Sequence, residues 1–171
     1  MNIVFAGRGI VGERCLRILR SLHHDITILG NGWTPKYRLG PCDVLWSVHW
    51  PHKFTAENIA DAKIAALNVH NSYLPWCRGA DTPYWTLKER TPCGATVHWL
   101  DDGIDTGPIC WQRYVEAFPD DTPEILYDRI ANEEVWLFTM VTRRLLAGKP
   151  LGKEPQVGDG SFHRKADRRE A

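Results

Sequence analysis

The chain has 171 residues, 43% hydrophobic and 25% charged, enough for one domain with a proper core. Its 21 Lys and Arg balance 21 Asp and Glu, so the formal net charge is zero and charge-driven attachment to nucleic acid or to an anionic membrane is excluded. Five cysteines (15, 42, 77, 93 and 110) are odd in number, widely spaced and without a C-x-x-C. Free thiols in a reducing compartment are therefore expected, not a disulfide frame or zinc site; with no signal-like or membrane-length apolar run, the expected address is the cytoplasm.

Residues 2–6, N-I-V-F-A, predict a buried first strand that enters glycine at once. Gly7–Gly12, G-R-G-I-V-G, follows, and Val11, Cys15, Leu19 and Leu22 then lie on one face of a helix. Residues 25–29 supply a second strand. The turn fits the G-x-G-x-x-G spacing of dinucleotide folds, but Gly30 and Asn31 stand where an acid would hold a ribose hydroxyl. The glycines are read as serving a tight turn and close helix packing, with a phosphate at the helix N-terminus as the alternative.

Residues 30–42, rich in Gly, Pro and Asn, predict a loop, and 43–48 a third strand. His49–Phe54, H-W-P-H-K-F, holds two histidines, but Pro51 separates them and no carboxylate or cysteine completes a ligand set, so no metal is expected. The stretch reads as a loop at the C-terminal end of a strand, where open α/β sheets bind ligands. Thr55 is expected to cap a short helix over 56–62.

Residues 64–70 form the next predicted strand. Asn68 and His70 are two apart, so both side chains face one way. An imidazole moves protons near neutral pH and a carboxamide can donate to an oxyanion, which together suit acyl chemistry. Thr82-Pro83 reads as a cap and first helical residue for 83–90. Residues 95–100 are β-branched and alternating, a strand on which His98 is taken as packed or at the rim. Gly103–Pro108, G-I-D-T-G-P, sets Asp105 between glycines as a third member of the site. Residues 108–115 predict an antiparallel edge strand.

Thr122 and Pro123 open a long helix with Leu126, Ile130, Leu137, Phe138, Val141 and Leu145 on one side, ended by Gly148 and Pro150 and assigned to packing alone. The rest is polar and glycine-rich, a surface strand or loose tail. The order of elements predicts an α/β, Rossmann-like doubly wound and mostly parallel sheet with helices on both faces, with one domain over 1–150 and a tail over 151–171. Trp50, Trp76, Trp85 and Trp99 flank the site, some of them facing ligand.

With N-V-H-N-S-Y-L-P…R-G (Asn68–Gly79) and D-x-G-I-D-T-G-P (Asp101–Pro108) in this order, the chain resembles the formyltransferase family that uses 10-formyltetrahydrofolate. The resemblance covers roughly residues 1–147. It implies Asn68, His70 and Asp105 as the catalytic trio, and a folate pocket built from Trp50, Pro51, His52 and Phe54 on one loop and Trp99, Leu100, Asp101 and Asp102 on another. It implies transfer of the formyl group to a primary amine, Asp105 orienting the imidazole and raising its pKa. Asn71 stands where the family has proline. The lack of a basic surplus or a second domain argues against a methionyl-tRNA acceptor. G-R-G-I-V-G differs from the serine-containing turn of glycinamide ribonucleotide enzymes. The run R-G-A-D-T-P-Y-W-T and the tail G-S-F-H-R-K are similar to small sugar N-formyltransferases, so an amino sugar on a nucleotide carrier is the expected acceptor, held by Arg78, Gly79, Tyr84 and Trp85. A formyltetrahydrofolate hydrolase is the alternative. The short 30–42 segment lacks the family's usual helix, and a homodimer completing the pocket is expected.

Overall fold

Among the described residues, eight strands and four α-helices follow one another as β1 (Asn2–Gly7), α1 (Gly9–Ser21), β2 (Asp25–Ile28), β3 (Cys42–Val48), α2 (Ala56–Ala60), β4 (Ala62–His70), β5 (Arg78–Gly79), α3 (Thr82–Glu89), β6 (Gly94–Trp99), β7 (Ile109–Tyr114), α4 (Pro123–Leu146) and β8 (Phe162–His163). The structure is a computed structural model that describes residues 1–22 and 25–169; His23, His24 and the end of the expected tail, Glu170 and Ala171, lie outside the described residues. Six strands form one sheet in the order β2-β1-β3-β4-β6-β7. β1 to β4 pair in parallel, and β6 and β7 join antiparallel, β7 at the edge as expected. This is a Rossmann-like α/β fold.

The apolar run of β1 is continuous because both of its faces are covered. Ile3 and Phe5 join Val44, Trp46, Leu67 and Val97 beneath α1 and α4. Phe138 of α4 anchors that layer, with ring centroids 4.6 Å from Trp46 and 6.2 Å from Phe5. Val4, Ala6, Leu45 and Ala66 face the other way. There the cover is thinner: Ile59 of the short α2, and Trp33 and Leu39 from the helix-free segment between β2 and β3. The segment lacking the usual helix thus still closes the second face. In the first turn a Cβ on Gly12 would stand 2.9 Å from the Gly7 carbonyl carbon, so the glycines there serve close helix-on-strand packing. All five cysteines are free thiols.

Local signals set several boundaries. Thr55 caps α2 in a capping box with Asn58, and Thr122 caps α4 with Pro123 in its first turn. Thr82 does not cap α3. Asp81 occupies that position, and the Thr82 hydroxyl instead donates to the Asn71 carbonyl at 2.8 Å. That bond fixes the residue where the family's proline is replaced.

The described part of the tail is tied down at several points. Trp99 Nε1 donates to the Gly152 carbonyl at 2.8 Å, and Ile109 exchanges two backbone bonds with Glu154. β8 then pairs in parallel with β5. No described helix is long and apolar enough to cross a membrane.

Candidate active site

The pairing of β4 with β6 sets the site. Asn68 lies opposite His98 and His70 opposite Thr96, while Leu67 and Val69 turn into the core. The period of two therefore brings Asn68, His70 and His98 to one face at the C-terminal ends of the parallel strands. Beyond them opens a cavity of about 640 Å³. One side of it carries residues 49–54 together with His98, Leu100, Asp101, Gly103, Ile104 and Asp105, and the ion pair of Lys53 with Asp102 at 3.1 Å links the two loops. The other carries residues 79–81 and 162–165, joined through the β5–β8 ladder. No residue of the glycine-rich turn, Gly7–Gly12, lines it.

Asp105 joins the two sides. Its Oδ1 accepts from Asn68 Nδ2 at 3.2 Å and lies 3.4 Å from His98 Nε2; its Oδ2 accepts from the Gly79 amide at 3.0 Å and lies 3.6 Å from His70 Nδ1. Its backbone sits at φ 54°, a left-handed conformation that aspartate tolerates better than most residues. The glycine after Thr106 is fixed by space: a Cβ on Gly107 would fall 1.8 Å from the Trp99 carbonyl oxygen. The side-chain amide of Gln156, from the tail, then clamps the loop by donating to the carbonyls of Asp105 at 2.8 Å and Gly107 at 2.9 Å.

The hydrogen bonds fix the protons. His98 Nδ1 faces the Trp99 carbonyl at 2.9 Å and must be the donor there. In the neutral ring Nε2 is then an acceptor, filled by Asn68 Nδ2 at 3.0 Å. A carboxylate only accepts, so the Asn68 amide is oriented with its NH₂ group between His98 and Asp105. His70 Nε2 faces the Cys77 carbonyl at 3.1 Å, which leaves Nδ1 toward Asp105 as the free base. Burial holds the His70 pKa below its ordinary value and outweighs the Asp105 charge, which pulls it up. The expected net upward shift is thus reversed, although the sign of the Asp105 contribution is as anticipated. For Asp105 itself burial pushes upward, but the attraction of its carboxylate to the protonated forms of His70 and His98, with the Gly79 amide, holds its carboxyl well below the usual range.

Of the residues expected around the donor, Trp50, Pro51, His52, Phe54, Leu100 and Asp101 line the cavity. Trp99 and Asp102 do not: Trp99 packs on the core and under Lys153, and Asp102 pairs outward with Lys53. Trp33, from the predicted loop, backs this wall, its ring 5.2 Å from Phe54 and 6.3 Å from Trp50. No periodicity marked it. Of the residues expected around the acceptor, only Gly79 lines the cavity. Arg78 is turned to the tail, donating to the carbonyls of Asp159 and Ser161. Trp85 is buried and stacks on His163 at 3.9 Å, and Tyr84 lies 4.9 Å under the Arg168 guanidinium.

α4, expected to serve packing alone, carries a fully buried carboxylate. Glu134 Oε1 meets His49 Nε2 at 2.6 Å, and its Oε2 has no partner among the described residues. The signal was present: Glu134 falls four after Ile130 and three before Leu137, on the apolar stripe. Burial opposes protonation of His49, but the Glu134 charge and hydrogen bond outweigh it and hold the His49 pKa above its ordinary value. Pro51 lies between His49 and His52, and only His49 meets a carboxylate in this way. Elsewhere, donor atoms of Cys77, Glu89 and His163 lie within 4.8 Å of one another. The Cys77 thiol there also meets the Thr91 hydroxyl at 3.3 Å, so the group clasps α3 to the tail.

Residues 36–142 match the formyl transferase family. Among curated proteins, cytosolic 10-formyltetrahydrofolate dehydrogenase of Xenopus laevis is 39% identical over 99 residues, 56% of this chain but 11% of that protein. The chain thus corresponds to a small part of such relatives. Among solved structures, the formyltransferase PseJ from Anoxybacillus kamchatkensis, in complex with UDP-4,6-dideoxy-4-formamido-L-AltNAc and tetrahydrofolate, superposes with a TM-score of 0.87 at 30% identity, covering 99% of this chain and 89% of that one. A 4-N formyltransferase from Francisella tularensis shares the fold, with a TM-score of 0.82 at 21% identity over 99% of this chain and 78% of that one.

Proposed function

The chain belongs to the formyl transferase family, and from that premise we propose that it moves the formyl group of 10-formyltetrahydrofolate onto the primary amine of a nucleotide-linked amino sugar. The observation that carries this reading is the position of Asp105, bonded to Asn68 on the sheet and to Gly79 on the opposite side of one cavity. A donor on one side and an acceptor on the other would meet at that carboxylate. The donor side suits a planar pteridine: Trp50, His52, Phe54 and Leu100 give an apolar slot, and the buried Trp50 Nε1 has no partner among the described residues. The nucleotide-sugar and tetrahydrofolate bound to PseJ support both ligand classes.

The groups can perform the chemistry. The amine nitrogen bonds to the formyl carbon, and the carbonyl π pair moves onto oxygen. His70 Nδ1 takes the amine proton; Asp105 stabilises the imidazolium so formed. The Asn68 amide stabilises the oxyanion; its 3.2 Å bond to Asp105 is the longer of its two and the one an oxyanion would compete for. The pair returns to carbon, the bond to N10 breaks, and His70 gives the proton to that nitrogen. His98 touches no reacting atom; it orients the Asn68 amide.

A panel assay tests the reading. Purified protein with 10-formyltetrahydrofolate should release tetrahydrofolate with UDP-linked 4-amino sugars, and far more slowly with glycinamide ribonucleotide or no acceptor. The same panel separates a formyltetrahydrofolate hydrolase, in which water receives the formyl group. Equal turnover with and without acceptor would establish it in place of the transferase.

A further inference from the structure

We infer that Arg164 and Lys165, carried into the cavity rim by the C-terminal strand, form the subsite for the diphosphate of the acceptor; the inference rests on the nucleotide-linked acceptor proposed above. Both residues line the cavity directly after Phe162 and His163, on the side they share with Gly79, Ala80 and Asp81.

The acidic groups of the cavity are already engaged. Asp81 pairs with Arg168 at 3.3 Å, Asp101 accepts from the Thr106 hydroxyl and the Gly103 amide, and Asp105 holds the histidines. The remaining lining cation, Lys53, has Asp102. Arg164 and Lys165 have no ion-pair partner among the described residues, so two cations without a counter-charge stand side by side at this rim. A planar guanidinium beside an ammonium suits two linked phosphates, since the guanidinium can bind one of them through two parallel N–H bonds.

The tail also presents these side chains from a fixed base. Ala80 N donates to the His163 carbonyl at 2.9 Å, the His163 ring stacks on Trp85 at 3.9 Å, and the Arg164 amide donates to Asp167 Oδ2 at 2.6 Å. Arg168 anchors the following turn on Asp81 and Tyr84. Arg78, Tyr84 and Trp85 thus contribute indirectly, by holding the strand that bears the cations. The donor side lies across Asp105, so losing the two cations should spare folate.

Calorimetry on the full chain, with UDP, uridine and the stable analogue 5-formyltetrahydrofolate as separate probes, tests this. In R164A/K165A the UDP dissociation constant should rise by about tenfold or more, while uridine and folate affinities stay unchanged. The same change on the exposed face of α1, R17A/R20A, should leave all three unchanged. UDP affinity unaffected by R164A/K165A would overturn the subsite and leave the proposed function standing. Loss of folate affinity with UDP binding kept would overturn it by assigning the cations to the donor. No UDP binding to the wild-type protein would overturn the subsite and the nucleotide-linked acceptor together.

Discussion

In the proposed transfer His70 serves as base because burial favours its neutral form. Its Nε2 proton is held by the Cys77 carbonyl, and its Nδ1 faces a carboxylate that must stay ionised. With the His70 pKa below 6.5, the ring is neutral at pH 7, and the acid limb of kcat/KM should fall below the pH of an ordinary histidine. Asp105→Asn removes the stronger of the two carboxylates, Asp105 and Glu134, that pull this value up, so a histidine NMR titration should find His70 titrating lower still; an upward move would contradict the assignment. His70→Ala should cut kcat by about 10²–10⁴-fold, the usual range for a positioned acid–base group. His98→Ala should lower kcat by about tenfold with folate affinity kept, because it frees the Asn68 amide without removing it; an unchanged kcat would show that His98 only packs. Asn68, His70 and Asp105 were legible in the sequence as residue types at a strand end and in a glycine-flanked turn. The part of His98 was not, because its meaning lies in a cross-strand partner.

The strands and α4 were legible from periodicity, and the Thr55 and Thr122 caps from spacing. Two features at this scale were not. Thr82 resembles a cap before Pro83, yet its hydroxyl is claimed by Asn71 from another segment. Glu134 stands on an apolar face, and only the fold brings His49 to it. Because Glu134 is wholly buried, His49→Ala strands a charge and should destabilise the protein by about 3–5 kcal/mol. Adding Glu134→Gln should recover part of that loss, and denaturant titrations of the four proteins of the cycle measure it. The His49 pKa is raised from 6.5, so the stability this pair supplies is present in full below that value and is lost as pH rises through the folded-state value. Melting temperatures of wild type and His49→Ala should therefore converge in part as pH rises from 6 to 9. A constant gap would contradict the linkage.

Across the whole molecule, Asn68, His70 and Asp105 stand between one cavity side built from strand-end loops and another completed by the tail. The first was legible through motifs. The second was half-legible: the G-S-F-H-R-K run marked the tail, but its pairing with β5 is a long-range contact that no local pattern encodes. Gln156 reaches from this tail to the Asp105 loop, so Gln156→Ala should lower kcat and cost about 1–3 kcal/mol of stability by leaving two carbonyls unpaired; unchanged kcat would show that the clamp is structural only. Formyl transfer across Asp105 is tested most directly by following the label of [formyl-¹³C]-10-formyltetrahydrofolate by NMR in a single turnover with a UDP-linked 4-amino sugar. The label should appear as a formamide, one per tetrahydrofolate released, and remain on the folate when acceptor is omitted. Label recovered as formate at the same rate with and without acceptor would contradict it.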